Sequence, residues 1–362
     1  MAFDSEWYKY YAGKRVLITG HTGFKGTWLS VWLRLLEAEV AGVALAPDQE
    51  PSMYAAIGGD KLFHSFLCDI RDADRVFDIF TDFKPEVVFH LAAQSLVGRG
   101  YSDPVGTVTT NVGGTVVVLE AIRRVATVRA VVNVTSDKCY ENKEWAWPYR
   151  ESDTLGGADP YSASKAAVEI VAAAYRRSFF GPERGAAMAT ARAGNVIGGG
   201  DWAADRLIPD VVRALAGGSK IVLRQPSAVR PWQHVLEPLH GYLRLGCALA
   251  TMGSRFAAGW NFGPADAGAV SVGELAREVL AAWGNDNANE PIVDAAVVPY
   301  AESRVLRLDV SKARQELNWR PFLTIGEAVQ LTVDWYRDYY AGRRNLHEKT
   351  ISQITEFMQR MA

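Results

Sequence analysis

Cysteine is scarce in this chain: Cys68, Cys139 and Cys247 are the only three among 362 residues, and they lie far apart. An odd, scattered set argues against a disulfide framework or a cysteine zinc site. Buried, reduced thiols are the plain reading. Net charge is nearly absent too. The 39 Lys and Arg almost balance 41 Asp and Glu, leaving −2, with no long block of one sign. No strong field for nucleic acid or an anionic membrane follows, and neither is expected as a partner. No His/Cys/Asp cluster has metal-ligand spacing, so no metal is expected. The opening MAFDSEWYKYYAGK lacks a basic-then-apolar signal pattern. No apolar run is read as long enough to span a membrane. The expected compartment is the cytoplasm.

What is present is apolar patterning. About half of the chain (49%) is hydrophobic, enough for a sizeable core, and the length suits two lobes. Short runs rich in β-branched residues end in small or reactive ones: Arg15–Gly20, Glu39–Leu45, Ser65–Asp69, Val87–Ala93, Ala130–Ser136 and Ala187–Ala193. Their continuous apolar character fits strands buried on both faces. Helical stretches alternate with them at Phe24–Leu36, Arg71–Phe83, Gly113–Arg124 and Tyr161–Phe179. This order predicts an α/β fold, a Rossmann-type doubly wound parallel sheet with every strand's C-terminal end on one edge. Beyond about Gly198 the alternation loosens. Helices are expected at Leu207–Gly217, His234–Thr251, Ser271–Trp283, Ser311–Leu317, Ile325–Tyr340 and Glu348–Met361, and another buried strand at Trp260–Pro264.

Gly20-His-Thr-Gly23-Phe-Lys-Gly26 follows a strand and opens a helix. A dinucleotide pyrophosphate needs a tight turn, close backbone approach and free N–H groups at a helix N-terminus, and this loop offers all three. The GxxGxxG spacing resembles the extended branch of the short-chain dehydrogenase/reductase superfamily. The resemblance implies an NAD-binding domain over residues 1–195, with 231–264 returning to it. Residues 196–230 and 265–362 would form a smaller α/β substrate-binding lobe. It also implies cofactor contacts from Gly20, Gly23, Phe24, Lys25 and Gly26, from Asp69 and Ile70 after the third strand, from Leu91, Ala92 and Ala93 after the fourth, and from Asn111 in the next helix. One position departs from the pattern. The second strand should end in an acid for the adenosine ribose, but Ala46-Pro47 stands there and Asp48 follows. Asp48 or water would fill that role. No arginine sits there for a 2′-phosphate, which favours NAD over NADP.

Tyr161-Ser-Ala-Ser-Lys165 has YxxxK spacing, which puts both side chains on one helix face. Tyrosine's ordinary pKa, about 10, is too high for a base at neutral pH. A neighbouring ammonium and a cationic nicotinamide would favour the phenolate. By resemblance, Lys165 also holds the cofactor ribose.

The fifth strand runs into Thr135-Ser136-Asp137-Lys138-Cys139-Tyr140, where ligands of such sheets bind. By resemblance Ser136 meets the sugar C4 hydroxyl. An acid at the next position marks sugar-nucleotide 4,6-dehydratases rather than epimerases. Thr19–Leu33, Thr135–Asn142, Asp159–Glu169, Arg192–Ala203 and Arg230–Leu243 together resemble the CDP-glucose 4,6-dehydratase family, across nearly the whole chain. That family converts CDP-D-glucose to CDP-4-keto-6-deoxy-D-glucose and water: C4 is oxidised by bound NAD, water leaves across C5 and C6, and the hydride returns to C6. Asp137 would protonate the departing C6 hydroxyl if burial keeps it protonated. Lys138 would be either the C5 base or a charge that stabilises the enolate. Arg230 is a candidate phosphate clamp. By resemblance, Gln94, Arg192, Asn195 and Arg304 complete the substrate contacts. His234 and Trp232 read as packing residues, and His21 as shaping the loop.

A 4,6-dehydratase or 4-epimerase of another NDP-sugar is the first rival reading. The second is a non-catalytic cofactor-sensing protein on the same fold. Members of the superfamily commonly dimerise through the helix after the fourth strand and the YxxxK helix, so a homodimer or higher homo-oligomer is expected. Val116, Val117, Val168 and Val171 are candidates for its apolar faces.

Overall fold

The computed structural model describes residues 6–181, 185–264, 269–284, 292–293 and 305–361. Six of its strands come from the alternating region: β1 (Arg15–Thr19), β2 (Glu39–Ala44), β3 (His64–Leu67), β4 (Val87–His90), β5 (Ala130–Val134) and β6 (Ala187–Ala193). A seventh, β7 (Gly259–Phe262), joins them from the far side of the second region. The order is β7-β6-β5-β4-β1-β2-β3, and every pairing is parallel. The strand order reverses between β1 and β4, which is where a doubly wound sheet opens its ligand crevice.

The main helices are α1 (Phe24–Leu35), α2 (Ala73–Phe83), α3 (Gly114–Arg124), α4 (Pro160–Ser178), α5 (Leu236–Met252), α6 (Ile325–Tyr340) and α7 (Leu346–Met361). Side chains alternate across each strand, so one sheet builds two cores. Leu17, Val88, Val131 and Met188 face a core shared with α2, α3 and α4. Ile18, Phe89, Val132 and Ala189 face a larger one shared with α1 and α5, which continues into α6 and α7. On α5 every residue from Leu236 to Leu249 is buried, as befits a helix enclosed on all sides.

Strand ends differ from the sequence reading by up to three residues, and the strand at Ala187–Ala193 matches it at both ends. The third strand, read as Ser65–Asp69, stops at Leu67, and Asp69 turns to accept the Arg71 N–H at 2.9 Å. The helix read as Gly113–Arg124 continues a longer run. Pro104–Val108 leads through a π-helical segment, Thr109–Gly113, into α3. That run, Pro104–Arg124, is long and apolar enough by composition to cross a membrane. Length and composition alone do not set it apart from the core helix of a globular protein. Thr and Gly among its valines dilute a pattern that length restores, and 44% of its most apolar stretch is buried within the protein. Val168, a candidate for either an outer face or the core, is buried at 2% exposure.

Candidate active site

The glycine loop is shaped by contacts that no side chain could share. Gly20 has φ +78°, where only glycine is comfortable. A Cβ there would lie 2.8 Å from the Ala92 nitrogen, and one on Gly26 would lie 2.1 Å from the Gly20 carbonyl oxygen. Gly23, extended, caps α1 without a side-chain hydrogen bond. The first N–H groups of the helix are thus left for a ligand. His21 is fully buried, bonds Ser65 Oγ at 2.6 Å and lies where any side chain at residue 42 would sit. Burial lowers it to about 4, so it is neutral. Phe24 packs beside Gly198. This backbone cradle fits a dinucleotide diphosphate.

The neighbouring positions behave less uniformly. Leu91, Ala92 and Ala93 are half-buried at the end of β4. Ile70 is buried and fills the space that a side chain at Gly114 would need. Asp69 holds Arg71 in a two-toothed ion pair at 2.6–3.0 Å. Asp48 is 77% exposed and 3.9 Å from Arg99. Asn111, in the π-helical segment, accepts the Gln94 N–H and donates to the Gln94 carbonyl and Ser164 Oγ. Its side chain is consumed in tying the β4 loop to α4. Gln94, expected at the substrate, instead folds its own loop, with its amide on Leu96 and Thr107.

The proton-transfer pair is set by the start of α4. Asp159 caps it by accepting the Ser162 N–H at 2.9 Å, and Pro160 suits the first turn. Tyr161 and Lys165 then stack one turn apart, both buried. Burial pushes the Tyr161 phenol up to about 12, while a hydrogen bond with Ser136 pulls it back. Burial also brings Lys165 down to about 8, against the pull of Glu169 and Cys139.

The end of β5 meets this pair. Ser136 Oγ donates to Asp137 Oδ1 at 3.0 Å and accepts the Lys138 N–H at 3.2 Å. Asp137 is buried at 4% exposure, and its Oδ2 has no hydrogen-bond partner among the described residues. Burial holds its carboxyl above the ordinary value, against Lys138, Ser136, Lys25 and Arg230. The result is a carboxyl that favours its proton. Lys138 is half-buried beside it.

Two cations enter the site together, Lys25, expected at the cofactor loop, and Arg206, which the sequence did not mark. Lys25 shares its field with Arg206, Asp137, Lys165 and Asp201, and burial lowers it to about 8. Arg206 donates to Asp201 at 2.8 Å and to Ser95 at 3.3 Å, and its charge also reaches Tyr161. Lys25, Lys165 and Arg206 thus gather around Asp137 and Asp201, an excess of positive charge that suits a diphosphate. Asp201 holds Arg206 from the same loop, and Ser95, which brings it to the site, comes from the loop after β4.

Of the expected substrate residues, Arg230 acts on Asp137 through its charge. Asn195 is half-buried, and its carbonyl accepts the N–H of Gln233, three residues beyond Arg230. Arg192 is a correction. It points into the core, where Glu169, Tyr140 and the Glu151 carbonyl take its donors. The strand-end position was read rightly but the side chain's direction was not. Arg304 lies outside the described residues. Trp232 and His234 are buried packing residues, His234 edge-on to Trp28. Among the described residues no group of three or more His, Cys, Asp or Glu could hold a metal.

Comparison with known proteins points the same way. Residues 17–332 match the family described as GDP-mannose 4,6 dehydratase. The chain is 46% identical over 337 residues to a CDP-glucose 4,6-dehydratase of Salmonella typhimurium, covering 92% of this chain and 93% of that one. It is 30% identical over 325 residues to a UDP-glucose 4-epimerase of Mycolicibacterium smegmatis, covering 90% and 99%. Among solved structures, a dTDP-glucose 4,6-dehydratase of Streptomyces venezuelae with NAD and TYD bound superposes with TM-score 0.76 at 26% identity, covering 92% and 99%.

Proposed function

Because the chain belongs to the sugar-nucleotide 4,6-dehydratase family of the extended short-chain dehydrogenase/reductases, we propose that it converts CDP-D-glucose to CDP-4-keto-6-deoxy-D-glucose and water with NAD. The observation that carries this reading is Asp137, a buried carboxyl with an open oxygen beside the Tyr161–Lys165 pair.

When bound, NAD supplies a reversible electron acceptor for C4. Tyr161 takes the proton of the C4 hydroxyl, and Ser136 orients that hydroxyl. Lys165 and Arg206 supply positive charge that favours the phenolate against its burial. Asp137 keeps its proton until the C6 hydroxyl departs and then gives it up. Lys138 faces C5 either as the base or as a fixed charge on the enolate. Arg230 and Asn195 take the diphosphate side, joined by Arg304. Residues 1–195 with 231–264 form the cofactor domain and the remainder the substrate lobe. The pairing of β7 with β6 supports that division.

The chain acts as a homodimer or higher oligomer in the cytoplasm. Val105 (73% exposed) and Ile170 (59%) lie on the run leading into α3 and on α4, and unpaired apolar faces of this kind mark contact surfaces. Mass analysis of the product from CDP-glucose and NAD tests the reaction. Loss of water is expected. Unchanged mass would make the enzyme an epimerase, and no turnover on a nucleotide-sugar panel would favour a sensing role.

A further inference from the structure

Behind the site lies a buried charge pair that the mechanism above leaves unused. Glu169 is 2% exposed and Arg192 4%. Arg192 grips both carboxylate oxygens, Nε to Oε1 at 2.9 Å and Nη2 to Oε2 at 2.8 Å. Thr135 donates to Oε1 at 2.5 Å and Thr190 to Oε2 at 2.7 Å. Each oxygen thus has two donors. Arg192 Nη1 reaches the Tyr140 hydroxyl at 2.7 Å, which donates to Asn261 Oδ1 at 2.7 Å. The cluster ties β5, β6, β7 and α4 together. Removing one partner of such a pair is costly, and a pair of apolar residues could hold the fold instead. The charge therefore calls for a reason.

Sequence position supplies one. Glu169 is one helical turn beyond Lys165 and two beyond Tyr161, on the same face. Thr135, which it anchors, directly precedes Ser136 and Asp137. We infer that Glu169, clamped by Arg192, is a positioning residue: it fixes the end of β5 against α4 and supplies the negative charge beside which Lys165 remains an ammonium. This rests on the proposed reaction for its role in turnover, but not for its effect on Lys165.

The groups facing this arrangement come from several elements. Lys165 is met by Glu169 on its own helix, Cys139 on the turn after β5, His90 on β4 and Lys25 on α1. Glu169 is met by Arg192 on β6 and by Arg176 on α4. His90 is neutral, lowered to about 3 by burial, and burial keeps the Cys139 thiol protonated. Glu169 is then the anion next to Lys165, and burial opposes its charge less than Arg192 and the threonines sustain it.

The test compares Glu169→Gln, Glu169→Asp and the neutral pair Glu169→Gln/Arg192→Gln with the unmodified protein. One readout is the pH dependence of kcat on CDP-glucose. The other uses cofactor-free protein: the pH dependence of Lys165 labelling by a small amine-reactive reagent, read by mass spectrometry. In Glu169→Gln the alkaline limb of kcat and the Lys165 labelling midpoint should both move down by about one pH unit or more. The neutral pair should move them in the same direction by less. Glu169→Asp should restore both. Folded variants with unmoved midpoints would overturn the inference and leave a purely structural pair. Failure of all three to fold, the conservative Asp included, would do the same. If the unmodified enzyme forms no product, the functional reading falls while the labelling titration still decides this one.

Discussion

Glu237 allows a stability prediction whose sign and size both come from the structure. It sits in the first turn of α5, 2% exposed. Its Oε1 accepts the N–H groups of Phe322 at 2.8 Å and Leu323 at 2.7 Å, joining α5 to the segment that enters α6. Its Oε2 has no partner among the described residues. Burial raises the carboxyl from 4.5 to about 7, against the two backbone donors. A raised carboxyl means that the folded state binds the proton more tightly. Its favourable share is complete below pH 4.5, is lost as pH rises to about 7, and stays lost above. The gap between 4.5 and about 7, at about 1.36 kcal/mol per pH unit, amounts to roughly 3 kcal/mol. Glu237→Gln keeps the Oε1 acceptor and removes the titration. Denaturant unfolding of both proteins across this pH range should show the variant gaining on the unmodified protein by about 3 kcal/mol between the acidic and alkaline ends. Other carboxyls titrate in both and cancel in the difference. A difference that stays constant with pH would refute the reasoning.

Tyr161→Phe should lower kcat by about 10²-fold or more while leaving NAD affinity within about threefold, measured by the product assay and by calorimetry. Gly26→Ala places a methyl 2.1 Å from the Gly20 carbonyl oxygen, so the loop must open. NAD affinity should fall by about tenfold or more with the circular dichroism spectrum unchanged, and unaltered affinity would refute the cradle. Charging both exposed positions with Val105→Glu and Ile170→Glu should reduce the particle mass found by light scattering. An unchanged mass would move the oligomer interface elsewhere.

The sheet was largely legible in sequence because its strands are buried on both faces and read as unbroken apolar runs. The site was legible where chemistry depends on local spacing: the glycine loop, YxxxK on α4, and Ser136-Asp137 at a strand end. It was illegible where the partner is distant. Arg192 looks like a substrate arginine until Glu169, on another element, claims it. Arg206 looks like any helix-flanking cation until Ser95, from the loop after β4, joins Asp201 on it. Glu169 was the recoverable omission, since the four-residue step from Lys165 places it on the same face. Asn111 was read as a cofactor contact, and its surroundings in the π-helical turn add a task that spacing does not reveal: its amide ties the β4 loop to Ser164.

The late arrival of α5 and β7 in the chain bears on how the protein is born. By the time the ribosome has made β6, the helices that roof one side of the sheet, α2, α3 and α4, are already out, and Leu17, Val88, Val131 and Met188 can be covered at once. Of the long helices, the opposite side then has only α1, beside the short segments around Trp7–Tyr11 and Met53–Phe63. Phe89, Val132 and Ala189 wait for Leu236–Met252, more than forty residues beyond the last strand available to receive it. A nascent chain paused before Leu236 is half-roofed, with a broad apolar face open to other chains. Chaperone capture and aggregation during expression should therefore concentrate in the interval between the synthesis of β6 and the release of α5, rather than being spread along translation.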